Sequence, residues 1–171
     1  MVDQMKMQVP SPGADLFKSS MRNLAGAVCV ITTGTGETRT GFTATSVTAL
    51  SADGPTVMVA LNRGSSSWEI VEKARRFCVN VVAEGQENVA HSFSGFNGLK
   101  GASRYDGAVW HTMASGGLAL DGALASLDCE LEDAIIHRSH VILIGLVRSI
   151  RTHDDARPLL YWRGEYQHIR R

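Results

Sequence analysis

Net charge is the first thing this sequence lacks. Its 171 residues carry 17 Lys plus Arg against 17 Asp plus Glu, with no basic stripe in any segment, so nothing favours a polyanion. A nucleic-acid partner is disfavoured. Long apolar runs are missing too. The longest, VILIGLV at 141–147, falls far short of the roughly 20 residues of a membrane span, and MVDQMKMQVPSPG at the start holds no signal-peptide core. The expectation is a soluble, cytoplasmic protein that does not bind membranes. Cysteine is scarce: Cys29, Cys78 and Cys129 stand about 50 residues apart, odd in number and without a C-x-x-C pair. Each lies in an apolar alternating segment, so they read as small buried hydrophobes of a reducing compartment.

Familiar catalytic texts are absent as well. TGTGETRTG at 33–41 places glycines after an apolar run, but Gly34, Gly36 and Arg39 spell G-x-G-x-x-R, and Thr-rich strand text follows where a helix is needed. The dinucleotide fingerprint fails on both counts. There is no Gly-Lys-Ser/Thr of a P-loop and no G-x-S-x-G elbow. Among 6 histidines, His137 and His140 form H-x-x-H. On one strand those rings would point to opposite faces, against a shared metal, and no metal site is expected.

At 44% hydrophobic, the chain fits one domain over 13–171 behind a flexible, polar arm at 1–12. Phe17, Met21, Leu24, Ala25 and Val28 recur at helical spacing and predict an amphipathic helix from Ala14 to about Ala25. Then the period becomes two: AVCVITT reads as a strand, TGTGET as a hairpin tip, and RTGFTATSVTAL as the returning strand. DGP turns into the strand TVMVALN, and Ser66-Ser67-Trp68-Glu69 has the Ser-x-x-Glu text of a capping box opening a helix. RFCVNVVA is a strand and GQENVAHSFSGF a short helix. Residues 97–117 form a glycine-rich excursion anchored by Trp110 beside Tyr105, Val109 and Met113. Ala125, Leu127, Cys129 and Leu131 alternate with Ser126, Asp128, Glu130 and Glu132, the pattern of a half-buried strand. HVILIGLVRSI is apolar on both faces and therefore central, and PLLYWRGEYQHI is a strand, a turn at Arg163-Gly164 and a last strand. Roughly seven closely spaced strands with two or three helices indicate a mainly β fold, a small antiparallel barrel with peripheral helices.

Two places carry chemistry. Thr43, Thr45, Ser46 and Thr48 crowd hydroxyls onto one strand, either as ordinary strand text or as a row of ligand donors. LNRGSSSW at 61–68 combines serines, Arg63 and the start of a helix, which suits an anion such as a phosphate, although capping and loop solubility also account for serines. His140 heads the central strand, facing either a ligand at the barrel's edge or solvent.

Taken in order, GAVCVITT, GFTATSVTALS, LNRGSSSW, FCVNVVAEGQENVAHSFSG, SHVILIGLV and PLLYWRGEY resemble the short-chain flavin reductases, from about Leu16 to Ile169. Those enzymes supply reduced flavin to two-component monooxygenases such as the 4-hydroxyphenylacetate and pyrimidine-utilisation systems. The resemblance implies an FMN-binding split barrel, usually a homodimer, that binds FMN or FAD and takes hydride from NADH or NADPH. It implies flavin contacts along Gly41, Phe42, Thr43, Ala44, Thr45 and Ser46, and a phosphate end held by Leu61, Asn62, Arg63, Ser65, Ser66 and Ser67, with Phe93 nearby. His140, Tyr161, Arg163 and Tyr166 fall on the nicotinamide side. The family often has Asp-His where this chain has Ser139-His140, so the orienting carboxylate is missing. Relatives inside the same fold reduce the cobalt of corrins in cobalamin synthesis, and a flavin-storage module is the non-enzyme alternative.

Overall fold

The computed structural model describes residues 11–153 and 156–169. Except for its last two residues, the arm expected over 1–12 lies outside them. The first helix, α1 (Ala14–Met21), ends earlier than its apolar spacing predicts and buries none of its residues. Asn23 and Gly26 are poor helix formers, and Gly26 and Ala27 are claimed by pairing with Tyr161 and Leu160.

β1 (Gly26–Ala27), β2 (Cys29–Thr33) and β3 (Thr40–Ala44) follow, with a 3₁₀ turn at Gly36–Thr38 closing the expected β2–β3 hairpin. The returning strand expected to run on to Leu50 is broken at residues 45–47. Its second half, β4 (Thr48–Ser51), pairs instead with β5 (Thr56–Asn62). The remaining elements are α2 (Trp68–Ala74), β6 (Arg76–Val81), α3 (Glu87–Ser94), β7 (Trp110–Thr112), β8 (Leu118–Leu120), β9 (Ala125–His137), β10 (His140–Thr152), β11 (Leu160–Trp162) and β12 (Glu165–Gln167).

The main sheet has the order β3-β2-β6-β9-β10-β5-β4, antiparallel throughout. β3 and β4 are therefore neighbours in sequence but opposite edges of the sheet. The link between them spans at most about 14 Å, so the sheet must curl until its edges face each other. The result is a barrel split along one seam. The central place expected for HVILIGLVRSI is confirmed, with β10 lying between β9 and β5.

Alternation along the strands separates two cores. Cys29, Ile31, Phe77, Val79, Cys129, Leu131, Val141 and Leu143 fill the barrel. Val28, Val30 and Val82 face the other way and meet Phe93, Tyr105 and Leu159 in a second cluster outside the wall, packed by Trp110 and Tyr166. This outer cover explains why every residue of β2 is buried. It also corrects the polar face expected for β9: Ser126 and Asp128 are 2% and 0% exposed. Asp128 Oδ2 accepts the Ser115 N–H at 2.8 Å, and its Oδ1 accepts the Ser115 hydroxyl. The 97–117 excursion thus lies partly on this outer wall, with Tyr105 buried as expected and Val109, expected as an anchor, 62% exposed. All three cysteines are buried, and burial pushes the Cys29 and Cys129 thiols up to about 12 and raises Cys78 in the same direction.

Asn80 joins the wall to its cover. Its amide donates to Val30 O at 3.1 Å and Leu118 O at 3.3 Å, while Oδ1 accepts from Leu120 N at 2.8 Å and Ser126 Oγ at 2.7 Å. It is fully buried, so losing these partners strands several polar groups without water. Asn80→Leu should lower unfolding free energy by about 3 kcal/mol or more in urea titrations, although the replacement is apolar and similar in size.

Candidate functional site

The seam also opens as a cleft. β4 pairs only with the first part of β5, from Thr56 to Met58, leaving the far end of β5 opposite β3 without a strand between them. At the corner, Ser46 Oγ takes the place of the missing strand, accepting the Ala60 N–H and donating to Ala60 O, both at 3.2 Å. One cavity of about 300 Å³ opens here, lined on the β3 side by Phe42, Thr43 and Ala44, on the β5 side by Leu61 and Asn62, and at its mouth by Ser65 and His140. A second, also about 300 Å³, continues past Thr43, Ala44 and Ser94 to Thr45, Phe96, Tyr161 and Tyr166. Among the described residues, no Asp or Glu lines either cavity.

The cleft's floor is held from behind through Gly41. Its carbonyl accepts the Ser67 hydroxyl at 3.0 Å and a guanidinium N–H of Arg104. A side chain there would collide with Ile31 O and come within 2.7 Å of the Phe93 ring. Arg104, 7% exposed, also donates through Nε to Leu99 O at 3.0 Å, and burial lowers its pKa. Gly41 thus turns its carbonyl away from β2. The two-residue period gives Thr43 the same orientation, with main-chain groups free along an edge strand.

The hydroxyl row looks different once its bonds are traced. Thr43 Oγ1 donates to Ala90 O at 2.6 Å, tying β3 to α3, and Ser46 braces β5. Ser67 is fully buried, bonded to Gly41 and 3.2 Å from Thr40 Oγ1, so its hydroxyl faces the interior rather than the cleft. The expected capping box is not formed: Ser67, not Ser66, precedes α2, without a side-chain cap. Asn62 Oδ1 accepts the Gly64 N–H at 2.8 Å, and Ser65 Oγ accepts the Ser67 N–H at 3.2 Å, which shapes the loop. Thr45 and Ser66 are exposed, and among the described residues neither hydroxyl has a hydrogen-bond partner. Arg63 is exposed beside them, its N–H donating to Ser139 O at 3.0 Å.

His137 and His140 do not share a strand. Arg138 and Ser139 turn the chain between β9 and β10, and the two histidines are register partners across that hairpin. His140 also pairs in register with Asn62, which sets it at the cleft's mouth. Its Nδ1 lies 3.0 Å from Ser139 Oγ, so a hydroxyl occupies the orienting place where the resemblance had led to an aspartate. Tyr161 and Tyr166 line the second cavity as a pair, ring centroids 5.6 Å apart, and Tyr166's pKa is raised by burial and then by Tyr161 and Glu87. Arg163 turns away from that cavity. Its guanidinium lies 4.5 Å from the Trp162 ring and donates to Asn23 Oδ1 at 3.2 Å. Ser94 and Phe96 were not singled out in the sequence. Phe96 was nonetheless legible, as a lone aromatic in the glycine-flanked text SGFNG, where no core position exists.

A curled antiparallel sheet with peripheral helices and a cleft along its seam is a split barrel, the fold of flavin-dependent reductases. The chain belongs to the flavin reductase like family, whose model matches residues 21–170. The FMN reductase (NADH) RutF of Klebsiella pneumoniae is 34% identical over 155 residues, covering 91% of this chain and 93% of the relative. The structure of a nitrilotriacetate monooxygenase component B homologue from Mycobacterium thermoresistibile superposes with a TM-score of 0.83 at 32% identity, covering 91% of this chain and 86% of that one. BorF, the flavin reductase component of a bacterial two-component tryptophan halogenase, gives a TM-score of 0.84 at 25% identity, over 92% and 98% of the two chains.

The close approach at Gly41 is directly testable. Gly41→Ala should cost about 1–3 kcal/mol in urea unfolding, because both Ile31 O and Phe93 belong to packed elements with nowhere to move.

Proposed function

We propose that the protein is an NAD(P)H-dependent flavin reductase that binds FMN or FAD in the seam and supplies reduced flavin to a partner monooxygenase. The observation that carries this reading is the cleft itself: free main-chain groups of an edge strand on one side, and Asn62 and Ser65 on the other, at the start of a loop that also carries the exposed Arg63 and Ser66. The relatives named above, an NADH-dependent FMN reductase, a monooxygenase component homologue and the flavin reductase component of a halogenase, support the same chemistry.

The fit to a flavin rests on the polarity of the two ends. A planar ring suits the apolar wall of Phe42, Ala44 and Leu61, while a phosphate suits the carboxylate-free loop carrying Arg63 and the Ser66 hydroxyl. Ser67 enters this reading only through its bond to Gly41. Hydride passes from the nicotinamide to the flavin, chemistry that the two cofactors supply themselves. What the chain contributes is position and charge. The Thr43 main chain and the Thr45 hydroxyl offer dipoles to a ring that becomes more electron-rich, with no rearrangement needed at that moment. His140, steadied by Ser139, positions the nicotinamide, and the second cavity with Tyr161 and Tyr166 admits it.

The assembly proposed is a cytoplasmic homodimer of single-domain chains, built over residues 13–171. Support comes from large apolar side chains left in water: Ile135 and Ile136 at the end of β9 are 47% and 56% exposed, and Leu50 on β4 is 52% exposed.

Two measurements test the reading. Anaerobic addition of NADH to the protein with FMN should bleach the flavin's visible absorbance, and the absence of any NADH or NADPH oxidation with either flavin would sink it. His140→Ala should raise KM for NADH about tenfold while moving the flavin dissociation constant far less; an unchanged KM removes His140 from the site.

A further inference from the structure

The charge nearest the cleft floor comes from behind it. Arg104, in a 3₁₀ turn at Gly101–Tyr105, reaches the Gly41 carbonyl from the side of the excursion. Arg39, the residue before β3, lies 5.1 Å from the centre of the Tyr105 ring, and its Nε has no hydrogen-bond partner among the described residues. The Tyr105 hydroxyl donates to Thr40 O at 2.6 Å, so the start of β3 is backed by one phenol and two guanidinium groups. Among the described residues, no carboxylate forms a salt bridge with either arginine. We propose that Arg104 is a positioning residue that favours the reduced over the oxidised flavin, by capping the Gly41 carbonyl and by holding an unpaired positive charge behind the cleft floor. This rests on the flavin reductase reading, which puts the ring along β3.

The sign follows from the charge that the reaction moves. Hydride transfer oxidises the dihydronicotinamide to its pyridinium form and delivers two electrons and one proton, so the flavin gains one negative charge until a second proton arrives. The Gly41 carbonyl points away from β2, and left bare it would turn the negative end of its dipole to the edge that the ring uses. That end opposes the arriving charge. The Ser67 hydroxyl and the Arg104 guanidinium both donate to it, and the guanidinium brings a full positive charge in excess.

Arg104 is suited to this role because little water screens it and it cannot swing away. It is 7% exposed, and its Nε donates to Leu99 O at 3.0 Å while the other end of the group holds Gly41. Both partners are carbonyls, which satisfy the N–H groups without cancelling the charge. At an effective dielectric of about 20, a unit charge about 12 Å away shifts an equilibrium about tenfold. A residue that only braced β3 would act on both redox forms alike.

The midpoint potential of FMN bound to the full chain, measured anaerobically against that of free FMN, reads the ratio of reduced to oxidised affinity. Arg104→Gln should lower it by about 30 mV, a tenfold change in that ratio for a two-electron couple, and Arg104→Lys, which keeps the charge, should recover most of the loss. An unchanged potential in Arg104→Gln, or a lysine variant no better than the glutamine one, overturns the proposal. A second pair of variants leaves Arg104 in place and decides the matter if Arg104→Gln does not fold. A Cβ on Gly95 would lie 4.0 Å from Arg104 Nη2, and the positive φ there, 82°, favours Asp and Asn over other side chains. Gly95→Asp should pair with the guanidinium and lower the potential by about 30 mV relative to Gly95→Asn, which has the same shape without the charge. Equal potentials in that pair overturn the proposal alone when the wild-type chain oxidises NADH with FMN. A wild-type chain that holds no flavin overturns it together with the reading beneath it.

Discussion

The backbone of Gly41 is the point on which the site depends. Three segments far apart in sequence reach it: Ser67 at the head of α2, Phe93 near the end of α3, and Arg104 from a 3₁₀ turn at Gly101–Tyr105 in the excursion. Each uses a different property of the same residue. The hydroxyl and the guanidinium need its outward carbonyl, and the ring needs its missing side chain. A buried guanidinium with carbonyl partners and no carboxylate is costly unless its bonds are well made, so this arrangement holds only when all the pieces are in place. In return, β3 becomes a rigid edge whose remaining main-chain groups are available to a ligand.

The seam follows from topology rather than from any motif. Because a short link joins the two edges of the sheet, the barrel must nearly close. Because β4 is short, it cannot finish closing. The side of β5 that β4 leaves without a strand is bridged by one serine hydroxyl at Ala60, and the gap beyond becomes the cleft. Edge strands normally need protection from unwanted pairing, and here the corner at residues 45–47, α3 and the 62–67 loop provide it while leaving a concave opening.

Local patterns predicted most elements well where one face of a strand decided its partners. The strand at 56–62 and the hairpin around Arg163-Gly164 appear as read, the latter with Arg163 and Gly164 both at positive φ, 52° and 93°. The text misled where a second layer covered the sheet. Ser126 and Asp128 alternate as solvent-facing residues should, yet both are buried, Ser126 donating to Asn80 and Asp128 accepting from the N–H and hydroxyl of Ser115 in the excursion. Likewise, a run of hydroxyls from Thr43 to Ser67 says nothing about which are bonded internally. Thr43, Ser46 and Ser67 brace the scaffold, and Thr45 and Ser66 are left exposed.

By itself the sequence determined the class of fold and the hairpins around residues 33–41 and 163–164, because hydrophobic period and turn residues act over a few residues and are written locally. Only the tertiary structure decided that the apolar spacing of the N-terminus stops at Met21, that His137 and His140 face each other across a turn, and that Ser139 stands in for an absent carboxylate. It alone showed Phe96 held out in solvent on a loop tied back to Ser94. These outcomes depend on which distant groups arrive at the same place, and hydrogen bonds and excluded volume are settled by that arrival rather than by neighbours in the chain.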